Sequence, residues 1–178
     1  MEGAPFIAET PRLQLRRVKL SDAEFVHRLL NEPSWLENIG DRGVRSPAEA
    51  VAYIRKQIWG PYRSSGFGMY LVQRKEDGAP IGLCGLVQRD FLEHPDLGFA
   101  LLPEHVGQGY AAEAAQSVIA LVESRWGIGA LSAITKGENL RSVRLLERLG
   151  FHRERACATP GGERLELYVR RSGATAVR

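Results

Sequence analysis

From Leu13 to Val18 the chain alternates apolar and polar residues, the two-residue period of a strand with one buried face. Ser21-Asp22-Ala23-Glu24 then has the form of a capping box, and it predicts a helix carrying Phe25, Val26, Leu29 and Leu30. Glu32-Pro33 ends that helix, because the proline ring disfavours helical backbone in the residue before it. Positions 33 to 45 read as irregular. Ser46-Pro47-Ala48-Glu49 is a second capping box with proline at the first helical position, and Val51, Ile54 and Ile58 follow on one face up to Gly60-Pro61.

The pattern then changes to strands. Phe67 to Gln73 and Ile81 to Val87 flank Asp77-Gly78, a hairpin signal. Positions 97 to 102 are apolar and stop at Pro103, which has no N–H for a ladder. After Val106-Gly107-Gln108-Gly109 a helix begins at Tyr110, with Ala111, Ala115, Val118 and Val122 on one face and Glu113, Ala120 and Glu123 largely opposite. Gly127 and Gly129 end it. Leu131 to Thr135 is a short strand. Asn139 caps a helix that buries Leu145, Leu146 and Leu149, turns Arg141, Arg144 and Arg148 the other way, and closes at Gly150. His152 to Thr159 and Leu165 to Arg170 form a closing pair about Pro160-Gly161-Gly162.

Three strands joined by short connections, followed by helices alternating with strands, predict a mixed, mostly antiparallel seven-stranded sheet flanked by helices. The class is α/β (α+β). A chain of 178 residues suits one domain, 1–178, with loose ends at 1–8 and 172–178.

Composition narrows the partners. The net charge of +3 suits an anionic ligand, but Lys and Arg are dispersed, which argues against nucleic acid. No apolar run approaches the roughly 20 residues of a membrane span. No signal-peptide pattern opens the sequence, so the default expectation is a cytoplasmic protein with no membrane partner. Cys84 and Cys157 show no metal or redox spacing; two free thiols are expected, and no metal. Monomer and homodimer both remain open.

The stretch from Leu97 to Ala114 carries the chemistry. A glycine turn opens directly into a helix whose first N–H groups have no acceptor, an arrangement that binds anions. A nucleotide P-loop is excluded, because no Gly-Lys-Ser/Thr follows. Val106-Gly107-Gln108-Gly109-Tyr110-Ala111 resembles the acetyl-CoA pyrophosphate loop of the GNAT N-acetyltransferases. Three wider stretches resemble the RimJ/RimL-like branch: Glu9-Thr10-Pro11-Arg12-Leu13-Gln14-Leu15-Arg16, Gly109-Tyr110-Ala111-Ala112-Glu113-Ala114, and Asn139-Leu140-Arg141-Ser142 leading to Leu149-Gly150-Phe151. The likeness spans roughly residues 9 to 170.

That resemblance implies acetyl-CoA as co-substrate, lying where the fourth and fifth strands splay apart. Its pantetheine arm would meet main-chain groups of Phe99, Ala100 and Leu101, and its diphosphate the N–H groups of Gly107, Gln108, Gly109, Tyr110, Ala111 and Ala112. Asn139 would reach the pantetheine amides. Val106 departs from the family's Gln or Arg, a change a main-chain loop tolerates. Arg141 and Arg144 could approach the 3′-phosphate, although a solvated basic face explains them as well.

Acetyl transfer needs a neutral amine, a stabilised oxyanion and a proton or equivalent for the departing thiolate. Asp96 stands where Rim-like relatives carry Glu, and Glu93 where some family members keep their base; both also read as ordinary loop and strand-edge charges. The glutamate that other members hold on the fifth strand is replaced by Ile134, and the thiolate-facing tyrosine by Leu146. Ser142 stands where Rim-like relatives carry serine and can donate to the sulfur, unless it bonds back to its own helix. The acceptor side would draw on Trp35, Asn38, Asp41 and Arg42. The reading is an N-acetyltransferase that moves acetyl directly to a small-molecule amine or a protein N-terminal α-amine in a ternary complex. The alternative is a catalytically inactive acyl-CoA-binding sensor.

Overall fold

The computed structural model describes residues 6–173. The strands are β1 (Ala8–Glu9), β2 (Leu13–Arg16), β3 (Met69–Arg74), β4 (Pro80–Val87), β5 (Asp96–Leu101), β6 (Ala130–Thr135), β7 (His152–Ala158) and β8 (Arg164–Arg171). The helices are α1 (Ala23–Leu30), α2 (Pro33–Asn38), α3 (Pro47–Tyr53), α4 (Trp59–Ser64), α5 (Tyr110–Leu121) and α6 (Leu140–Arg148). A π-helical turn, Ile54–Ile58, joins α3 to α4, and another, Val122–Trp126, extends α5.

The strands form one eight-stranded sheet in the order β1-β2-β3-β4-β5-β6-β8-β7. Every pairing is antiparallel except β5 with β6. Seven strands are expected from the sequence, and the eighth is β1, a two-residue edge too short to show a period. Ala8 and Glu9 pair with Leu15 and Gln14, and the Ile7 N–H donates to the Leu15 carbonyl at 2.7 Å. The expected loose end at 1–8 is thus tied to the sheet from Ile7 onward, while residues 1–5 lie outside the described residues. At the other end the Ser172 N–H donates to the Gly129 carbonyl at 2.9 Å, and 174–178 lie outside the described residues.

Leu13 and Leu15 are fully buried while Gln14 and Arg16 are half-buried, as the alternation requires. They join a core formed with Val26, Leu29, Ile54, Leu71, Ile81, Leu86, Ala114, Val118, Leu131, Leu146 and Phe151. Gly150 adopts φ 85°, and the Phe151 N–H returns to the Leu146 carbonyl at 3.0 Å, the glycine stop the sequence signals.

Three local expectations are corrected. Ser21 is not a cap: a 3₁₀ turn, Leu20–Asp22, precedes α1, and Asp22 takes both prongs of the Arg16 guanidinium at 2.8 and 2.9 Å and the Lys19 N–H at 2.7 Å. The turn has already begun at Leu20, so Ser21 lies inside it and not at its cap position. Residues 33 to 38 are helical, because Pro33, which ends α1, is the first residue of α2. Gly60-Pro61 does not end the third helical stretch. Pro61 falls in the first turn of α4, where its fixed φ fits helical backbone. Of the second capping box the serine half forms, with the Glu49 N–H donating to Ser46 Oγ at 3.2 Å, while the Glu49 carboxylate accepts the Arg45 N–H at 2.5 Å in place of the Ser46 N–H.

Candidate active site

Strands β5 and β6 run parallel but pair at one point only, Asp96 with Ser132, where the Ser132 N–H donates to the Pro95 carbonyl at 2.8 Å. Past that bridge they separate. Phe99, Ala100 and Leu101 stay paired with Cys84, Leu83 and Gly82 of β4 on one side, and their other edge faces the gap. Strands this close and parallel would normally zip together, so the gap is a built crevice. It opens toward the carboxyl ends of both strands. The chain leaving β5 leads into the start of α5, and the chain leaving β6 leads into the start of α6, so two helix N-termini stand at that mouth, the place where open sheets bind ligands.

At the first of these helix starts, Gly107 and Gly109 have φ of 83° and 82°. Side chains rarely adopt that conformation, and nothing within 4 Å would obstruct a Cβ at Gly107, so backbone shape alone requires the glycine there. The first helical bond runs from the Glu113 N–H to the Gly109 carbonyl at 3.1 Å. Every N–H from Gly107 to Ala112 is therefore without a protein acceptor among the described residues. Gly109 offers no side chain to cap the helix. These donors, together with the positive end of α5, form an anion cradle.

Asp96 sits where the strands part. It is buried, with 3% of its surface exposed. Its Oδ2 accepts from Arg89 Nε at 2.7 Å and its Oδ1 from the Ile134 N–H at 3.3 Å. Burial pushes its carboxyl up, to about 6, against the opposing pull of the Arg89 guanidinium and the Ile134 N–H. A carboxylate with that value can take or give a proton near neutral pH. Arg89 also lies near the phenol of Tyr53, whose hydroxyl burial pushes up, against the pull of Arg42 and Arg89.

At the second helix start, Asn139 Oδ1 accepts the Ser142 N–H at 3.3 Å and so caps α6. The cap uses the side-chain oxygen and leaves the Asn139 NH₂ available to a ligand. The Ser142 hydroxyl donates to no protein group among the described residues, and it does not bond back to its helix.

The model of the acetyltransferase (GNAT) domain family matches residues 12–152. The chain belongs to the GNAT acetyltransferase family. It is 27% identical over 150 residues to the uncharacterized N-acetyltransferase YoaA of Bacillus subtilis, covering 83% of this chain and 84% of that one. A putative GNAT-family acetyltransferase from Bordetella pertussis superposes with a TM-score of 0.76 at 25% identity, covering 91% and 97% of the two chains. RimL, a ribosomal L7/L12 α-N-protein acetyltransferase solved with coenzyme A, matches the fold with a TM-score of 0.79 at 18% identity, covering 93% and 97%.

Within this GNAT domain the remaining sequence candidates separate. The Glu93 side chain is 88% exposed, with the His94 imidazole 4.0 Å away. Trp35 is buried and donates from Nε1 to the Gly40 carbonyl at 3.1 Å, so it anchors the turn after α2 as part of the core. Asn38 donates to the Ser34 carbonyl at 3.0 Å within its own helix. The Arg45 guanidinium and the Gly43 N–H hold the Asp41 carboxyl at about 2. Arg141 and Arg144 are exposed. Cys84 is buried and its thiol is pushed up to about 12 by that burial, which suits a core residue and not a nucleophile.

Sequence reasoning misses Arg89 and Tyr53, which no spacing links to Asp96. It also misses Lys136, which reaches from the end of β6 to the Glu37 carbonyl of α2 at 2.5 Å and to Glu163, in the turn between β7 and β8, at 3.3 Å. No helix among the described residues is long and apolar enough to cross a membrane.

Proposed function

We propose that this GNAT acetyltransferase moves an acetyl group from acetyl-CoA directly to a primary amine while both substrates are bound. The observation that carries the reading is the row of unpartnered N–H groups from Gly107 to Ala112 at the mouth of the β5–β6 gap. A diphosphate satisfies those donors, and a pantetheine arm fits the open edge of Phe99, Ala100 and Leu101. The coenzyme A in the RimL structure supports the same choice of ligand by likeness of fold.

The amine nitrogen attacks the thioester carbonyl, the C–S bond breaks, and the electron pair leaves on sulfur. One proton must leave the amine and one must reach the thiolate. Asp96 takes the first, through water, since its carboxyl is buried beside the strand junction and its value near 6 leaves it mostly ionised at neutral pH. The proton that Asp96 takes from the amine returns through water to the departing sulfur, whose developing negative charge accepts a hydrogen bond from the uncommitted Ser142 hydroxyl, and the Asn139 NH₂ steadies the pantetheine amides. Glu93, exposed to solvent, is the second base candidate. An α-amine, with a pKa near 8, needs less help than a lysine amine near 10.4, and one buried carboxylate suits it. A protein N-terminus or a small α-amine is the acceptor this favours.

The test is thiol release from acetyl-CoA across N-terminal peptides, amino acids, polyamines and aminoglycosides. Release with at least one acceptor supports the reading. Coenzyme A binding without release from any of them points instead to a sensor.

A further inference from the structure

The N-terminal stretch and the loop helix stand about a hundred positions apart, yet one carboxylate ties them together. Glu113 lies in the first turn of α5, beside the open N–H groups. A carboxylate in the first turn is drawn toward the positive end of its own helix. Instead both oxygens are turned away. Oε1 accepts the Thr10 hydroxyl at 2.5 Å and the Arg12 N–H at 2.9 Å, and Oε2 accepts Arg12 Nε at 2.7 Å. Thr10 is itself fixed, because its hydroxyl oxygen accepts the Leu13 N–H at 2.9 Å.

Arg12 continues the chain of contacts into the loop. A second nitrogen of its guanidinium donates to the Gln108 carbonyl at 2.9 Å, while the group lies 4.4 Å over the Tyr110 ring. One rigid fork therefore spans the loop at Gln108, the helix at Glu113 and the aromatic side chain between them. The planar guanidinium fixes the distance and angle between those points in a way that an ammonium cannot. Anchoring the Gln108 carbonyl on Arg12 also constrains which way the adjoining N–H groups point. Pairing with Arg12 neutralises a glutamate charge that would otherwise repel an anion at the helix start. Burial would raise the Glu113 carboxyl, but the Thr10 hydroxyl, the Arg12 N–H and the guanidinium together hold it below its ordinary value, so it stays an acceptor.

We propose that Arg12 and Glu113 are positioning residues that hold the 107–112 donors in the geometry a diphosphate requires, acting on cofactor binding and not on acyl transfer. This rests on the reading of that loop as the coenzyme A diphosphate site. The pair touches no reacting atom, so its loss weakens substrate and transition state alike.

The experiment compares acetyl-CoA with S-acetylpantetheine, which carries the same thioester and no diphosphate. Arg12→Ala raises KM for acetyl-CoA about tenfold with kcat unchanged, and leaves kcat/KM for S-acetylpantetheine within twofold. Glu113→Gln has the same sign, and the double variant costs less than the two single effects combined, since both break one contact set. Arg12→Lys, which keeps the charge but loses the two-point span, behaves like Arg12→Ala; it also serves if the alanine variant does not fold. Calorimetric titration of coenzyme A reads the same loss of affinity without any acceptor. Equal loss with both thioesters, a fall in kcat at constant KM, or unchanged coenzyme A affinity in Arg12→Lys overturns the proposal. Wild-type protein that binds no coenzyme A overturns the earlier reading of the loop instead.

Discussion

The Ile134 N–H donates to the carboxylate of Asp96 at 3.3 Å, across the point where two parallel strands stop pairing. The sequence resemblance puts Ile134 where a glutamate is expected, and here its main chain supports a carboxylate on the neighbouring strand. Asp96 thus ends the ladder and occupies the junction above the gap. Its partner Arg89 supplies the positive charge that keeps a buried carboxylate ionisable.

Asp96→Asn preserves shape and removes the ionisable group. The rate falls about a hundredfold, and the wild-type rise in kcat/KM with a midpoint near pH 6 disappears. An unchanged acid limb in the variant removes Asp96 from the base role.

The same group sets a stability trend. Its folded value of about 6 lies above the ordinary 3.8, so the folded state favours the protonated form. That contribution is complete below pH 4 and is lost as pH rises through 6, on the order of 2–3 kcal/mol. Relative to Asp96→Asn, the wild type therefore loses stability between pH 4 and 7, which denaturant melts at several pH values will show. A difference that is flat with pH contradicts the assignment.

Ser142→Ala and Asn139→Ala part company. The serine hydroxyl holds no protein partner, so its loss leaves the melting temperature nearly unchanged and lowers kcat about tenfold. Removing Asn139 deletes the α6 cap and costs about 1 kcal/mol of stability. Thermal melts beside steady-state kinetics separate the two.

Gly109→Ala forces a side chain into φ 82° and brings its Cβ to 3.3 Å from the Arg12 guanidinium. It destabilises by about 1–2 kcal/mol. Coenzyme A also raises its melting temperature less than that of the wild type, because the cradle is distorted. An equal coenzyme A shift in both proteins excludes the loop as the binding site.

Trp35→Ala tests whether that ring is core or acceptor wall. Its burial and its bond to Gly40 predict a loss of about 3–5 kcal/mol. Trp35→Phe keeps most of the packing, loses about 1 kcal/mol, and leaves acceptor preference unchanged. Altered selectivity in the phenylalanine variant returns Trp35 to the acceptor site.

The sequence by itself determined what depends on neighbours along the chain. The glycines that need positive φ, the Asn139 cap, the Asp77-Gly78 turn and the alternation of Leu13 and Leu15 each rest on backbone shape or period within a few residues, and each stands in the structure. Where local signals competed, sequence reading failed: Asp22, held by Arg16 and the Lys19 N–H, shapes the turn before α1 where the sequence pattern puts a Ser21 cap, and Pro33 ended one helix by starting another. Tertiary structure alone decided which distant groups meet. The single bridge between β5 and β6, the Arg89–Asp96 pair set by a bend between strands, and the hold of Glu113 on Thr10 and Arg12 follow from strand order and packing. Those are pairings in space between groups whose separation in sequence has no period, so no local rule reports them.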